Sequence, residues 1–391
     1  EGDLEGPWEL FAVRAAEIAS ELKVHEAAKL AAAFSTARVL HFDLYARLSA
    51  RTLAELRGGE AEVTALDLRR LASAFGRARA FDSELMEALV PHVAERAGEF
   101  RPRDLVRLAD AYARMPVASA ELFALVADVL PPYLYDLEPA ELVRLGRAFA
   151  DAGVYNEELI DALCAEVGKR LRVFGAAECL TFLESLARLH QGLPDELQRD
   201  DAAIVAEAAE RLGATMVALS AQELIRGFRA LVLLNHYDRR LVHKKLCSAL
   251  ELRLGQLQSA AALPDLAELL RCLSLLPAQS HKSAELVQSV TEALRGACRA
   301  SLSRHLGGGR PLEPGTFGVA AEALLGLGSE DEELYAMLGE AVAPGAAGPG
   351  TPGTLAAQER LSVAADEELA ELLRVFRLAR EGSVAEAALQ P

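Results

Sequence analysis

The stretches DLRRLASAF (residues 67–75), DLVRLADAY (104–112) and ELVRLGRAF (141–149) repeat one pattern, and their closing aromatics stand 37 residues apart. Within each, apolar residues recur at i, i+3, i+6 and i+7, as Leu142, Leu145, Ala148 and Phe149 show. That spacing places them on one face of a helix. With Phe75, Tyr112 and Phe149 as anchors, weaker copies extend both ways. Upstream is EAAKLAAAF, ending at Phe34; downstream are copies ending at Leu186, Leu231, Leu273, Leu324 and Phe376. The nine anchors are separated by 41, 37, 37, 37, 45, 42, 51 and 52 residues, so the later connections carry insertions.

A second half-motif begins nine residues after the anchor. It reads acid-Leu-apolar: Asp43-Leu44-Tyr45, Glu84-Leu85-Met86, Glu121-Leu122-Phe123 and Glu158-Leu159-Ile160, returning at Glu333-Leu334-Tyr335. Each copy therefore reads as helix A, a short loop and helix B. One hairpin cannot bury its own apolar face, but stacked hairpins can, so the expected fold is an all-α solenoid of about nine helix-turn-helix repeats. The residue before the anchor is small in eight of the nine copies, which lets neighbouring helices approach closely. Thr64 with Asp67 and Ser220 with Glu223 have capping-box spacing. Pro102, Pro139 and Pro314 suit the first helical position.

These signals divide the chain into a capping helix within residues 1–24 and a repeat array over 25–305 holding copies one to seven. An eighth copy follows over 306–343 behind a Gly-rich loop, then a Pro/Gly linker at 344–354 and a half-repeat cap at 355–391. Trp8 reads as a packing residue of the leading cap.

Composition fits this picture. Of 391 residues, 51% are hydrophobic and only 5% aromatic, with Ala and Leu, the best helix formers, throughout. A net charge of −17 argues against a general nucleic-acid coat but leaves room for a local basic track. The five cysteines form no C-x-x-C pair and read as reduced, buried thiols. Eight histidines show no ligand spacing and Gly307-Gly308-Gly309 lacks the Lys-Ser/Thr of a phosphate loop, so neither metal, cofactor nor enzyme activity is expected. No apolar run is long enough to span a membrane. The chain opens on Glu1 rather than Met, as expected of a processed or trimmed product, so any targeting peptide is already missing and its absence says nothing about location.

The L-x-x-A-aromatic cores at Leu71, Leu108 and Leu145, with the E-L-apolar starts at Glu84, Glu121 and Glu158, resemble the heptatricopeptide repeat family. They are also similar to octotricopeptide and FAST-kinase-like repeats. The resemblance is strongest over residues 26–171. It implies an organellar protein of the mitochondrial matrix that binds RNA through stacked repeats, in RNA processing or in the mitochondrial ribosome. Many members carry a C-terminal RAP domain. The C-terminal residues here read as helical instead, which sets aside a nuclease-like activity.

Three positions on helix A share a face: five and two residues before the anchor, and two after it. Over copies one to six this face carries ten basic residues and three acidic ones. The residues proposed from it to contact RNA are Lys29, Arg70, Arg107, Arg114, Arg144, Arg147, Arg188, Arg226 and Arg229. Helical repeats read single-stranded RNA with a few side chains per repeat, and Arg forks onto phosphate or stacks on bases. A solvated, salt-bridged face explains the same pattern, because an acid three residues earlier can pair in Asp67–Arg70, Asp104–Arg107 and Glu141–Arg144. Arg147 and Arg229 lack an acid one turn before them, at Val143 and Ile225, which slightly favours RNA, although Arg147 can still reach Asp151. The most basic short segment runs from His236 to Lys245 and looks like a second nucleic-acid patch or an exposed helix face. The alternatives are therefore an RNA-contacting repeat protein whose acidic remainder faces protein neighbours, and a cytoplasmic HEAT- or armadillo-like scaffold without RNA.

Overall fold

The computed structural model describes residues 5–338 apart from 59–61, 81, 117–118, 193–200, 258–261, 278–280, 306–313, 330, 332 and 336. The linker at 344–354, the ninth copy at 355–391 and Gly307-Gly308-Gly309 lie outside the described residues. The described residues are helical without strands, and the chain is an all-α solenoid. It divides into two compact units, Glu1–Arg211 and Leu212–Pro391.

Unit 1 opens with α1 (Glu5–Ile18), which covers the first repeat. Trp8 sits edge-on to Phe34 at 5.4 Å, as a cap-packing residue should. Five helices A follow: α2 (Val24–Thr36), α4 (Ala65–Ala78), α6 (Pro102–Tyr112), α8 (Pro139–Ala152) and α10 (Ala176–Gln191). They alternate with helices B: α3 (Phe42–Gly58), α5 (Ser83–Glu95), α7 (Ala120–Val129), α9 (Glu157–Arg170) and α11 (Ala202–Thr215), within which the division falls. From α2 to α10 each helix A packs on the next, α3 to α9 form a parallel row of helices B, and α2, α4, α6 and α8 each also touch the partner in their own hairpin. The result is two layers. Unit 2 repeats the scheme with α12 (Ala221–Leu233), α14 (Leu263–Ser274) and α16 (Pro314–Gly326) as its A row. Its B elements are a π-helical segment, Arg239–Leu246, continuing into α13 (Cys247–Glu251), and α15 (His281–His305).

The anchors are the core. Phe34, Phe75, Tyr112, Phe149, Leu186, Leu231, Leu273 and Leu324 are each at most 2% exposed. In unit 1 three anchors meet helix B of the preceding copy at one recurring register. Tyr45 packs edge-to-face on Phe75 at 5.1 Å, and Phe123 on Phe149 at 4.9 Å. Tyr112 instead donates its hydroxyl to the Met86 carbonyl at 2.7 Å, satisfying a buried polar group.

The turn between helices A and B is equally regular. Four residues after the anchor the backbone is left-handed at Arg38, Arg79, Gly153, Asn235 and Gly328, with φ between 52° and 67°. The next residue's N–H bonds back to the anchor carbonyl, as in Ala80 to Phe75 at 3.2 Å and Val154 to Phe149 at 3.0 Å. Copies three and seven hold Pro116 and Pro277 at this offset, and a fixed negative φ bars proline from the left-handed turn. Seven residues after the anchor comes the cap of helix B. Asp82, Ser119, Asn156, Asp238 and Asp331 each accept from the backbone N–H of a leucine three residues on. His41 does the same with Nδ1.

The acid that opens each helix A is a cap in five copies. Glu26, Asp67, Glu141, Glu178 and Glu223 reach back to the N–H groups of Lys23, Thr64, Glu138, Gly175 and Ser220. The Cys179, Cys247 and Cys298 thiols are pushed up to about 11 and Cys272 to about 12, in each case chiefly by burial. They are protonated at neutral pH and weak nucleophiles.

Two substitutions test this packing. A Cβ at Gly76 would lie 2.9 Å from the Ala111 carbonyl oxygen, so α4 and α6 touch through backbone. Gly76→Val is expected to lower stability by about 1–3 kcal/mol in denaturant titration. Arg79→Gly, which relieves a side chain held at φ 52°, is expected to raise it by about 0.5–1 kcal/mol.

Candidate nucleic-acid interface

The row of helices A brings six of the nine counted positions of copies two to four into a groove of about 350 Å³ in unit 1. Arg69, Arg77, Arg107, Arg114 and Arg144 line it, with Ser73, Ala111 and a single carboxylate, Asp110. Five guanidinium groups face two carboxylates, Asp110 in the lining and Asp104 beside Arg69 and Arg107, which leaves the groove net positive.

The ion pairs show how much of that charge is committed. Asp104 is shared between Arg69, 3.2 Å away on the preceding helix A, and Arg107, 3.7 Å away on its own. Asp110 is shared between Arg114 at 2.9 Å and Arg147 at 3.1 Å. Arg70 lies 3.6 Å from Asp67. Asp151 takes Arg188 from the next copy and also stands 3.8 Å from Arg147. Arg77 and Arg144 have no acidic partner within 4.0 Å among the described residues, and neither has Lys29 in the first copy. Glu141 leaves Arg144 unpaired because its carboxylate is turned back to cap its own helix.

Arg69 reports the resulting potential. Burial pushes its guanidinium below the ordinary value and repulsion from Arg107, Arg70 and Arg77 adds to that, with only Asp104 opposing. Although Arg69 Nε is 3.2 Å from Asp104 Oδ1, it is off the line a hydrogen bond needs and is a buried donor without a partner. The Ser73 hydroxyl is also buried and unpartnered. The groove thus offers uncompensated positive charge and free donors, the combination an anionic oxygen satisfies.

The structure sorts the residues singled out from sequence. Arg107, Arg114 and Arg144 line the groove; Arg70 and Arg147 are on the same row of helices. Arg188 is tied to Asp151 of the preceding copy. In unit 2, Arg229 pairs with Glu268 at 3.2 Å. Arg226 is beside Glu223, whose carboxylate is lowered first by the Ser220 hydrogen bonds and then by Arg226. Arg147 and Arg229 are not the unpaired cations that their own helices suggest. Each finds an acid on a neighbouring helix, Arg147 at Asp110 one repeat back and Arg229 at Glu268 one repeat on, and Arg147 also reaches Asp151 on its own helix. Arg69 escapes the sequence pattern because it sits six residues before the anchor, outside the counted offsets. A carboxylate 35 residues on, Asp104, is the signal that would have found it.

Among the described residues no helix is long and apolar enough to cross a membrane, and no three His, Cys, Asp or Glu side chains gather as a metal site. The chain is similar to a solved structure described as a circular tandem repeat protein with novel repeat topology and enhanced subunit contact surfaces. The two are 18% identical over 97% of this chain and 89% of that one, with a TM-score of 0.28. No curated protein matches significantly. A family model for the RNA-editing substrate-binding complex 6 protein matches residues 7–254. That span takes in unit 1 from α1 onward and the first hairpin of unit 2, more than half of the chain, and the protein belongs to the RNA-editing substrate-binding complex 6 family.

Proposed function

We propose that this chain is a non-catalytic, RNA-contacting helical-repeat scaffold of a mitochondrial ribonucleoprotein. The observation that carries the proposal is the groove of copies two to four, where Arg77 and Arg144 are unpaired beside Arg69, Arg107 and Arg114. Guanidinium groups in a row along stacked helices suit a phosphodiester backbone, which supplies anions at regular spacing. The family's name describes an RNA-editing substrate-binding complex, and we place the chain in an assembly of that kind rather than in the ribosome. The acidic surface that gives the chain its −17 then faces protein neighbours. Recovery of a tagged chain with ribosomal RNA and ribosomal proteins would place it in the mitochondrial ribosome instead. Recovery with proteins alone, unchanged by ribonuclease, would leave a protein scaffold.

Binding of a single-stranded RNA is expected to fall linearly in log K against log salt. The triple variant Arg77→Glu, Arg107→Glu, Arg144→Glu is expected to weaken it about 100-fold or more and to flatten the slope by about 2, at roughly 0.7 for each phosphate no longer neutralised. Unchanged affinity in that variant sinks the groove as the RNA site. Asp110→Asn should act in the opposite sense. It frees Arg114 and Arg147 for phosphate, so RNA affinity rises, while removal of two half-exposed ion pairs costs about 0.5–1 kcal/mol of stability.

A further inference from the structure

The segment Arg239–Leu246 is wound as a π-helix, with the Cys247 N–H bonding to the Val242 carbonyl five residues back. This winding changes which side chains share a face. In i→i+5 bonding each turn holds about 4.4 residues, so successive side chains are about 82° apart instead of about 100°. At that pitch Arg239, Arg240, His243, Lys244 and Lys245 fall within an arc of about 165°, and Leu241, Val242 and Leu246 occupy the rest. In an α-helix Lys245 would fall among the three apolar residues. The burial agrees with the π register. Leu241, Val242 and Leu246 are 6%, 1% and 1% exposed, while Arg239, Arg240, Lys244 and Lys245 are all exposed.

None of those four cations has an acidic partner within 4.0 Å among the described residues. Arg69, Arg107, Arg114 and Arg147, by contrast, each have one. In a chain with 58 acidic residues and 41 Lys and Arg, four neighbouring unpaired cations stand out. Asp238, just before them, is engaged as the helix cap through the Leu241 N–H. Tyr237, two residues before Arg239, is half-buried and donates its hydroxyl to the Val232 carbonyl at 3.3 Å.

We propose that this π-helical face is a second RNA-backbone site, built on a helix B of unit 2. The proposal rests on the reading that the chain contacts RNA. Two arginines and two lysines on one face match consecutive phosphates, and the family model that names an RNA-editing substrate-binding complex spans this segment. The π winding is what makes the face: it moves Lys245 out of the apolar side and gathers the cations.

The test is fluorescence anisotropy of a labelled 20-nucleotide oligouridylate titrated with the full chain over a range of salt. The variants are Arg239→Glu, Arg240→Glu, Lys244→Glu, Lys245→Glu together, the matching four-fold Gln variant, and the groove triple variant. We expect both patch variants to bind at least 10-fold more weakly at about 0.1 M salt, with the slope flatter by up to about 3. Circular dichroism checks the fold; if the Glu variant melts early, the Gln variant decides. Wild-type affinity and slope in the patch variants, with weakening only in the groove variant, overturn this site and leave the proposed function standing. Absence of RNA binding by the wild-type chain at low salt overturns both. Patch-dependent binding of polyglutamate that is tighter than that of the RNA overturns the site in favour of a protein partner.

Discussion

Everything in this chain depends on how closely one helix A can lie against the next. Between α4 and α6 the contact is backbone on backbone, at Gly76 and Ala111. Ala74, Ala148 and Ser185 keep the same position small in the neighbouring copies. Close approach brings side chains of successive copies within reach, which is why Arg69 meets Asp104 and Arg147 meets Asp110. It also lines up the arginines that form the groove. The charged surface is therefore a consequence of the packing: a wider spacing would separate each acid from its second arginine and open the groove.

Much of this was legible in the residues. The 37-residue interval, the apolar period and the acid-Leu-apolar restart gave both helices of the hairpin, because burial of one face leaves a mark at fixed spacing. The capping boxes at Thr64 and Ser220 formed as spaced. Two regularities were present but unread: the left-handed residue four after the anchor and the helix B cap seven after it. Both lie in the loop, where several residue types meet one geometric need. Asp, Ser, Asn and even His serve as caps, and Arg, Asn and Gly all occupy the left-handed turn, so no single letter recurs.

The candidate site was legible only in part. The sequence showed that a basic face exists, since three offsets on one helix define it. It did not show which charges are spent, because the partner of an arginine can sit 35 to 39 residues away on another helix. The Glu141–Arg144 pair failed for a local reason: the carboxylate serves the helix N-terminus instead. The π winding at Arg239–Leu246 was invisible, since nothing in RRLVHKKL distinguishes it from an α-helix with one misplaced lysine.

The most direct test of the account is to locate bound RNA on the protein. Ultraviolet crosslinking of the full chain to single-stranded RNA, followed by mass spectrometry of the crosslinked peptides, reads the contact residue by residue. The account predicts nucleotide adducts on peptides from α4, α6 and α8, around Ser73 to Arg77, Arg107 to Arg114 and Arg144 to Arg147. Adducts confined to other helices, with these three peptides unmodified, would contradict it.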